Sequence, residues 1–176
     1  MTELSRADTG GLSPSEVGDV RRLLDAAFDG RFDDHDWEHA LGGVHVIARE
    51  SGEVVAHGSV VARTLWIGGD AHEVGYVEAV ATAPGAQGRG HGTSVVRAIG
   101  EEIRARFGVG VLSTGEWHFY ERLGWCRWQG ATYVRRADGE IDRTPDEDDG
   151  VMVLAAPGAI DLGATIACAE RAGDDW

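Results

Sequence analysis

Apolar residues recur along this chain with two spacings, and the switch between them marks the elements. Ser13-Pro14-Ser15-Glu16 is a capping-box sequence with proline at the first helical position, and Val17, Val20, Leu24 and Ala27 then share one helical face. An acidic stretch, 29–38, follows. Residues 44–48 and 54–66 read as β-rich runs separated by the turn Glu50-Ser51-Gly52-Glu53, and Ile67-Gly68-Gly69-Asp70 has the composition of a hairpin turn. Residues 73–81 alternate until Pro84-Gly85 breaks the pattern. Helical spacing returns at Val95, Val96, Ile99 and Ile103 and ends at Gly108. A buried strand at 109–113, a short helix at 116–123 stopped by Gly124, and strands at 131–134 and 151–154 complete the pattern, with an acidic loop at 138–149. An antiparallel meander followed by strand-helix-strand-helix-strand predicts an α/β fold, a mixed sheet flanked by helices. A length of 176 residues, without repeat or linker, fits one domain over 1–176, with the polar residues 1–11 expected to be disordered.

Charge narrows the partners. Thirty Asp and Glu oppose sixteen Lys and Arg for a net charge of -14, the wrong sign for nucleic acid or an anionic membrane and the right one for a cationic ligand. All sixteen basic residues are arginine, which excludes a lysine P-loop, a Schiff-base cofactor and a Ser-Lys nucleophile. Two cysteines, Cys126 and Cys168, without CxxC spacing indicate neither a disulfide framework nor a cysteine zinc cluster, and fit a reducing cytoplasm. No window reaches the ~18 apolar residues of a membrane helix and no signal-peptide core precedes the first helix, so a soluble, unexported protein is expected.

Gln87-Gly88-Arg89-Gly90-His91-Gly92-Thr93 follows a strand and opens a helix, so backbone N–H groups and the positive helix end converge as an anion cradle. Taken alone, the loop also reads as an ordinary glycine turn. A dinucleotide fold would carry its Gly-x-Gly-x-x-Gly in the first βα unit, whereas this loop lies mid-chain after a meander. Gln87, Gly90 and Gly92 resemble the Gln/Arg-x-x-Gly-x-Gly/Ala acetyl-CoA loop of the GNAT acetyltransferase superfamily, and Tyr120 with Gly124-Trp125 resembles its Tyr-x-x-x-Gly-aromatic segment. Within that superfamily, Asp36-Trp37-Glu38-His39-Ala40-Leu41-Gly42-Gly43, Gly75-Tyr76-Val77-Glu78, Arg143-Thr144-Pro145-Asp146 and the tail Arg171-Ala172-Gly173-Asp174-Asp175-Trp176 look like the aminoglycoside 2'-N-acetyltransferases. The likeness runs over 23–176. It implies the GNAT fold with a parallel strand pair at the cofactor cleft, acetyl-CoA as cosubstrate with no metal, direct transfer to an aminoglycoside amine in a ternary complex, and a cytoplasmic homodimer.

Acetyl transfer to an amine needs a neutral nucleophile, a stabilised oxyanion and a proton for the departing thiolate. On an alternating strand Tyr76, Glu78 and Val80 share a face, which sets Glu78 to take the amine proton directly or through water; a salt-bridged surface carboxylate is the alternative. Tyr120 is the candidate acid for the thiolate, against a plain core tyrosine on a face with Trp117 and Leu123. The resemblance gives the backbone at Val80 and Thr82 to the pantetheine arm and thioester carbonyl, and Gln87, Gly88, Arg89, Gly90, His91, Gly92 and Thr93 to the cofactor. It gives Asp36, Glu78, Ser113, Asp149, Asp174 and Trp176, with the terminal carboxylate, to a polycationic substrate. Arg31 stands where the resemblance calls for another acid, and Gly115-Glu116-Trp117-His118 is bulkier than the corresponding family segment. His35-Asp36-Trp37-Glu38-His39 formally matches His-x-x-Glu-His, but no third zinc ligand has a recognisable spacing. Another amine (a polyamine, a peptide amine, a different aminocyclitol) and a module that binds coenzyme A without turnover remain open as alternatives.

Overall fold

The computed structural model describes residues 2–176. Helices α1 (Pro14–Ala27), α2 (Asp34–Ala40), α3 (His91–Arg106) and α4 (Trp117–Glu121) interrupt ten strands. These are β1 (Thr2–Asp8), β2 (Val44–Glu50), β3 (Glu53–Ile67), β4 (Asp70–Thr82), β5 (Gly110–Ser113), β6 (Cys126–Arg127), β7 (Thr132–Arg135), β8 (Ile141–Arg143), β9 (Val151–Leu154) and β10 (Ile166–Ala169). Two compact units emerge: residues up to Val61 with Val77–Glu102, and Ala62–Tyr76 with Ile103–Trp176.

In the first unit, β1, β2 and the start of β3 form an antiparallel meander. The Ser13 hydroxyl accepts from the Glu16 N–H and the Glu16 carboxylate accepts from the Ser13 N–H, so the predicted capping box starts α1. The buried face of α1, Val20 and Leu24, packs with Phe32, Ile47 and Ala81. Gly58 on β3 lets α3 approach: a Cβ there would lie 2.7 Å from Ile99 Cδ1 and 3.2 Å from Val95 Cγ1. The expectation of a disordered start is corrected for the described residues. Thr2–Asp8 pairs with β2 along its whole length, Thr2 opposite Glu50 and Asp8 opposite Val44. The strand hides in the sequence because it lies at an edge and is mostly exposed, so backbone pairing and polar contacts hold it, among them Arg6 with Glu101 and Arg49 with the Ser5 hydroxyl at 2.9 Å. Met1 lies outside the described residues.

In the second unit, β4 and β5 run parallel, with Tyr76 opposite Val111, and β9 pairs antiparallel with β5 and with β6. β10 lies between β3 and β7, antiparallel to the first and parallel to the second, and β8 closes that edge. β3 and β4 are themselves hydrogen-bonded neighbours. The predicted turn at Gly68 and Gly69 has φ of +60° and +96°, as a tight hairpin needs, and Gly108 and Gly124 end their helices at +76° and +90°. Two expectations are corrected. β10 adds a strand after 151–154, and the acidic loop 138–149 contains β8 and a 3-10 turn at Pro145–Glu147.

Candidate active site

In the first unit, β4 leads into the glycine loop and α3. Gly88 and Gly90 have φ of +74° and +86°, and a Cβ at either position would meet nothing within 4 Å, so the loop is bent by its glycines and open above them. The Gly90 carbonyl accepts from the Ser94 N–H at 3.0 Å, closing the first turn of α3. His91 is 3% exposed; its Nδ1 lies 3.2 Å from Thr2 Oγ1, while Nε2 is buried without a partner among the described residues. An open cradle of amides at a helix start with an unmet buried polar atom fits a phosphate-bearing ligand. Arg89 is held by Glu50 at 2.6 Å, and Gln87, Gly92 and Thr93 complete the segment.

Glu78 and Val80 are half-buried on β4, and Thr82 ends the strand. Between Glu78 and Val80 the strand kinks: Ala79 has φ +52°, a left-handed conformation that costs an L-residue about 1–2 kcal/mol. Even alternation does not anticipate this kink. Side chains of β3 hold the kinked carbonyls, His57 Nδ1 that of Ala79 at 2.8 Å and Ser59 Oγ that of Glu78 at 3.4 Å. His57 in turn meets His45 at 2.9 Å, and both rings are wholly buried. Sequence reasoning passed over this pair. The signal was available, since each histidine interrupts a run of otherwise apolar strand residues.

Asp36 lies on α2, where its carboxylate accepts from the Asp33 N–H at 3.0 Å and Asp33 returns the bond, a capping box that fixes its direction. The zinc-like histidines share this helix, with His35 Nδ1 3.6 Å from Glu38. Among the described residues no three His, Cys, Asp or Glu side chains are grouped to hold a metal ion.

The second unit carries the other candidates. Tyr120 on α4 is 6% exposed, edge-on to Phe119 and Trp125 at 5.0 and 5.9 Å. Burial, and then the Glu116 charge, push its phenol above the usual range, so it keeps its proton at neutral pH. Ser113 donates to Glu147 at 2.9 Å. Asp149 is exposed beside Arg127 at 3.5 Å, whereas Asp148 is clamped by Arg143 and Thr132 and its carboxyl falls to about 2. Asp148 and Asp149 line a cleft of about 610 Å³.

The chain end is built into this unit. Trp176 is 5% exposed, its N–H donates to the Asp174 carboxylate at 3.1 Å, and its carbonyl oxygen accepts from Arg171 at 3.0 Å. Asp175, which sequence reasoning did not single out, is the anchor: its carboxylate takes Arg136 and the Arg171 N–H, both at 3.0 Å, and its carbonyl takes Arg63 at 2.9 Å. Trp176 Nε1 is buried without a partner among the described residues.

Comparison with known proteins bears on these two sets of residues. An acetyltransferase (GNAT) domain model matches residues 11–127. A Mycolicibacterium fortuitum protein named aminoglycoside 2'-N-acetyltransferase is 40% identical over 163 residues, spanning 89% of this chain and 83% of that one. A GNAT family N-acetyltransferase from Escherichia coli, solved with CoA, superposes with a TM-score of 0.69 at 14% identity over 98% of this chain and 93% of its own. A GNAT acetyltransferase from Brucella melitensis, solved with acetyl-CoA, gives 0.63 at 20% identity over 97% of each chain. The chain also matches longer solved proteins, of which it spans about a third (33–34%), among them GCN5-related N-acetyltransferases from Kribbella flavida and Anabaena variabilis. Strand, glycine loop and helix stand in the order that the sequence resemblance implied, both structural neighbours share the fold, and the domain model covers two thirds of the residues: the chain belongs to the GNAT acetyltransferases, enzymes that use acetyl-CoA.

Proposed function

We propose that this acetyltransferase moves the acetyl group of acetyl-CoA to the 2'-amine of an aminoglycoside by direct attack in a ternary complex. The observation that carries the substrate is the 40% identity, over 89% of the chain, to a protein named for that activity. In this reading residues 1–176 act as one catalytic domain, in the cytoplasm and as a homodimer, as the sequence resemblance implies.

The amine lone pair attacks the thioester carbonyl; the N–C bond forms, the C–S bond breaks, and the products are an amide and free CoA. Glu78 takes the ammonium or amine proton, directly or through a water, because a protonated amine has no lone pair to give. Backbone groups at Val80 and Thr82 align the thioester, and the loop from Gln87 to Thr93 holds the phosphates on open amides that need no lysine. Tyr120, protonated at neutral pH, donates to the departing thiolate. Asp36, Ser113, Asp149, Asp174 and the terminal carboxylate with Trp176 receive the hydroxyl and ammonium groups of the substrate, and a net charge of -14 draws a polycation in.

A second reading keeps the chemistry and changes the amine. It is favoured by Arg31, which puts a positive charge where the aminoglycoside enzymes resembled here have an acid, and by Trp117, whose ring carries Arg127 at 4.4 Å. Thiol release from acetyl-CoA across a panel of amines separates the two. Turnover of antibiotics with a 2'-amine, none of their 2'-hydroxyl analogues, and product NMR placing the acetyl group on the 2'-nitrogen support the first reading. Preferred turnover of polyamines or peptide amines selects the second, and no turnover of any amine leaves only a coenzyme A-binding module.

A further inference from the structure

His45 and His57 lie in the first unit, 0% exposed, in a run of hydrogen bonds that the reaction above does not use. Chemistry fixes the direction of every bond in it. The Ala79 carbonyl only accepts, so His57 Nδ1, 2.8 Å away, carries a hydrogen. Burial opposes charge on either ring, so each is neutral and holds one hydrogen. His57 Nε2 therefore accepts, and His45 Nδ1, at 2.9 Å, donates to it. His45 Nε2 is then an acceptor, and the Thr9 hydroxyl donates to it at 2.9 Å, while the alternative Gly43 carbonyl is farther, at 3.3 Å. Thr9 Oγ1 itself accepts from the Gly42 N–H at 2.9 Å. Thr9 to His45 to His57 to Ala79 is one directed chain in which no ring nitrogen is asked both to donate and to accept.

The chain ends on a peptide carbonyl, which cannot take up a proton and pass it to a carboxylate, so it is no proton wire to Glu78. What it reaches is the left-handed residue between Glu78 and Val80. At that point an alanine, which has no preference for positive φ, turns the strand, and the carbonyl is met by a side chain. We infer that His57 is a positioning residue: its Nδ1–H, oriented through His45 and Thr9, holds the kink at Ala79 and thereby sets the direction of the Glu78 carboxylate relative to the Val80 peptide. The inference rests on Glu78 acting as the base in the function proposed above.

Two replacements separate this role from packing. His57→Asn places an amide N–H where Nδ1 stood, and His57→Leu removes the donor; both lose the contact to His45. Each purified, folded variant is assayed with acetyl-CoA and an aminoglycoside bearing a 2'-amine, and acetyl-CoA affinity is measured by calorimetry. His57→Leu should lower kcat roughly 10- to 100-fold, the usual cost of an ångström-scale misplacement of a reacting group, with acetyl-CoA affinity within about threefold of wild type. His57→Asn should recover most of kcat. Equal kcat in the two variants, or wild-type kcat in His57→Leu, would overturn the inference. Nitrogen-15 NMR of the wild-type protein tests it without substitution: the hydrogen must sit on Nδ1 of His57 and on Nδ1 of His45, and the opposite tautomer at His57 overturns it. Wild-type protein inactive on every amine would overturn the base assignment and this inference together. Active wild type with indistinguishable variants overturns the inference alone.

Discussion

Acidification from pH 7 to pH 5 should strip this protein of an unusual share of its stability. His45 and His57 have their ring pKa values lowered from 6.5 to about 4 and about 3, chiefly because burial disfavours the charged form. For His57 the hydrogen bond to Ala79 works in the opposite sense, and repulsion from His45 adds to the lowering. A base with a depressed folded pKa takes up its proton in the unfolded chain first. The stability that the pair contributes is thus fully present above about pH 6.5, falls as pH drops, and levels off below about pH 3 to 4. At pH 5 the unfolded rings are almost fully protonated and the folded ones almost not. With 1.36 kcal/mol per pKa unit, the loss between pH 7 and pH 5 is about 2 kcal/mol per ring, or about 4 kcal/mol for the pair. Most unfolded carboxylates titrate below this window, and Asp148, held near 2 by Arg143 and Thr132, stays ionised throughout it. Urea unfolding followed by the fluorescence of six tryptophans reads the effect directly. For a slope of ~2 kcal/mol/M the midpoint should move down by roughly 2 M. A His45→Gln, His57→Asn double variant should be less stable at pH 7 and far flatter across the window. A wild-type midpoint that stays put from pH 7 to pH 5, or a double variant with the same slope, would refute the reasoning.

Three more outcomes follow from the geometry. Gly90→Val forces a β-branched residue to φ +86°, so it should both cost about 1–3 kcal/mol of stability and weaken acetyl-CoA at least about tenfold in calorimetric titration, with aminoglycoside affinity little changed. Unchanged acetyl-CoA affinity in a folded variant would remove the loop from the cofactor site. Tyr120→Phe should keep both affinities and slow single-turnover acetyl transfer by ~10² to 10⁴, and wild-type rates would return Tyr120 to a packing role. Removing Trp176 deletes an indole that is 5% exposed and the main-chain oxygen that accepts from Arg171, so aminoglycoside binding should fall at least about tenfold, most at low salt, and acetyl-CoA binding should hold. Equal antibiotic affinity with and without Trp176 would take the tail out of the substrate site.

Features governed by local chemistry were legible from the residues. The Ser13 and Glu16 capping box, the Gly68-Gly69 turn, the helix ends at Gly108 and Gly124, and the glycine loop all express rules that act within a few residues. Features that depend on distant partners were not. β1 is polar and at an edge, so its alternation carries no apolar signal. β10 is four residues of Ile, Ala, Cys and Ala, whose burial comes from pairing with β3 on one side and β7 on the other. The kink at Ala79 is invisible because alanine gives no hint of positive φ; the cause lies 22 residues earlier, at His57. Asp175 reads as one acid among thirty until Arg136, Arg63 and Arg171 close around it.

β1 also has a protective consequence. Its partner, β2, is a run of five buried residues, Val44-His45-Val46-Ile47-Ala48, and a strand of that character left bare at a sheet edge is a template for pairing with other chains. A mostly exposed, largely polar strand such as β1 is the kind of cover that tolerates an edge position, with Thr2, Glu3, Arg6 and Asp8 exposed around a single large apolar residue, Leu4. Trimming residues 1–11 as a dispensable leader would therefore turn a soluble face into an adhesive one, and would take away both the Thr2 hydroxyl beside His91 at the mouth of α3 and the Thr9 hydroxyl behind His45.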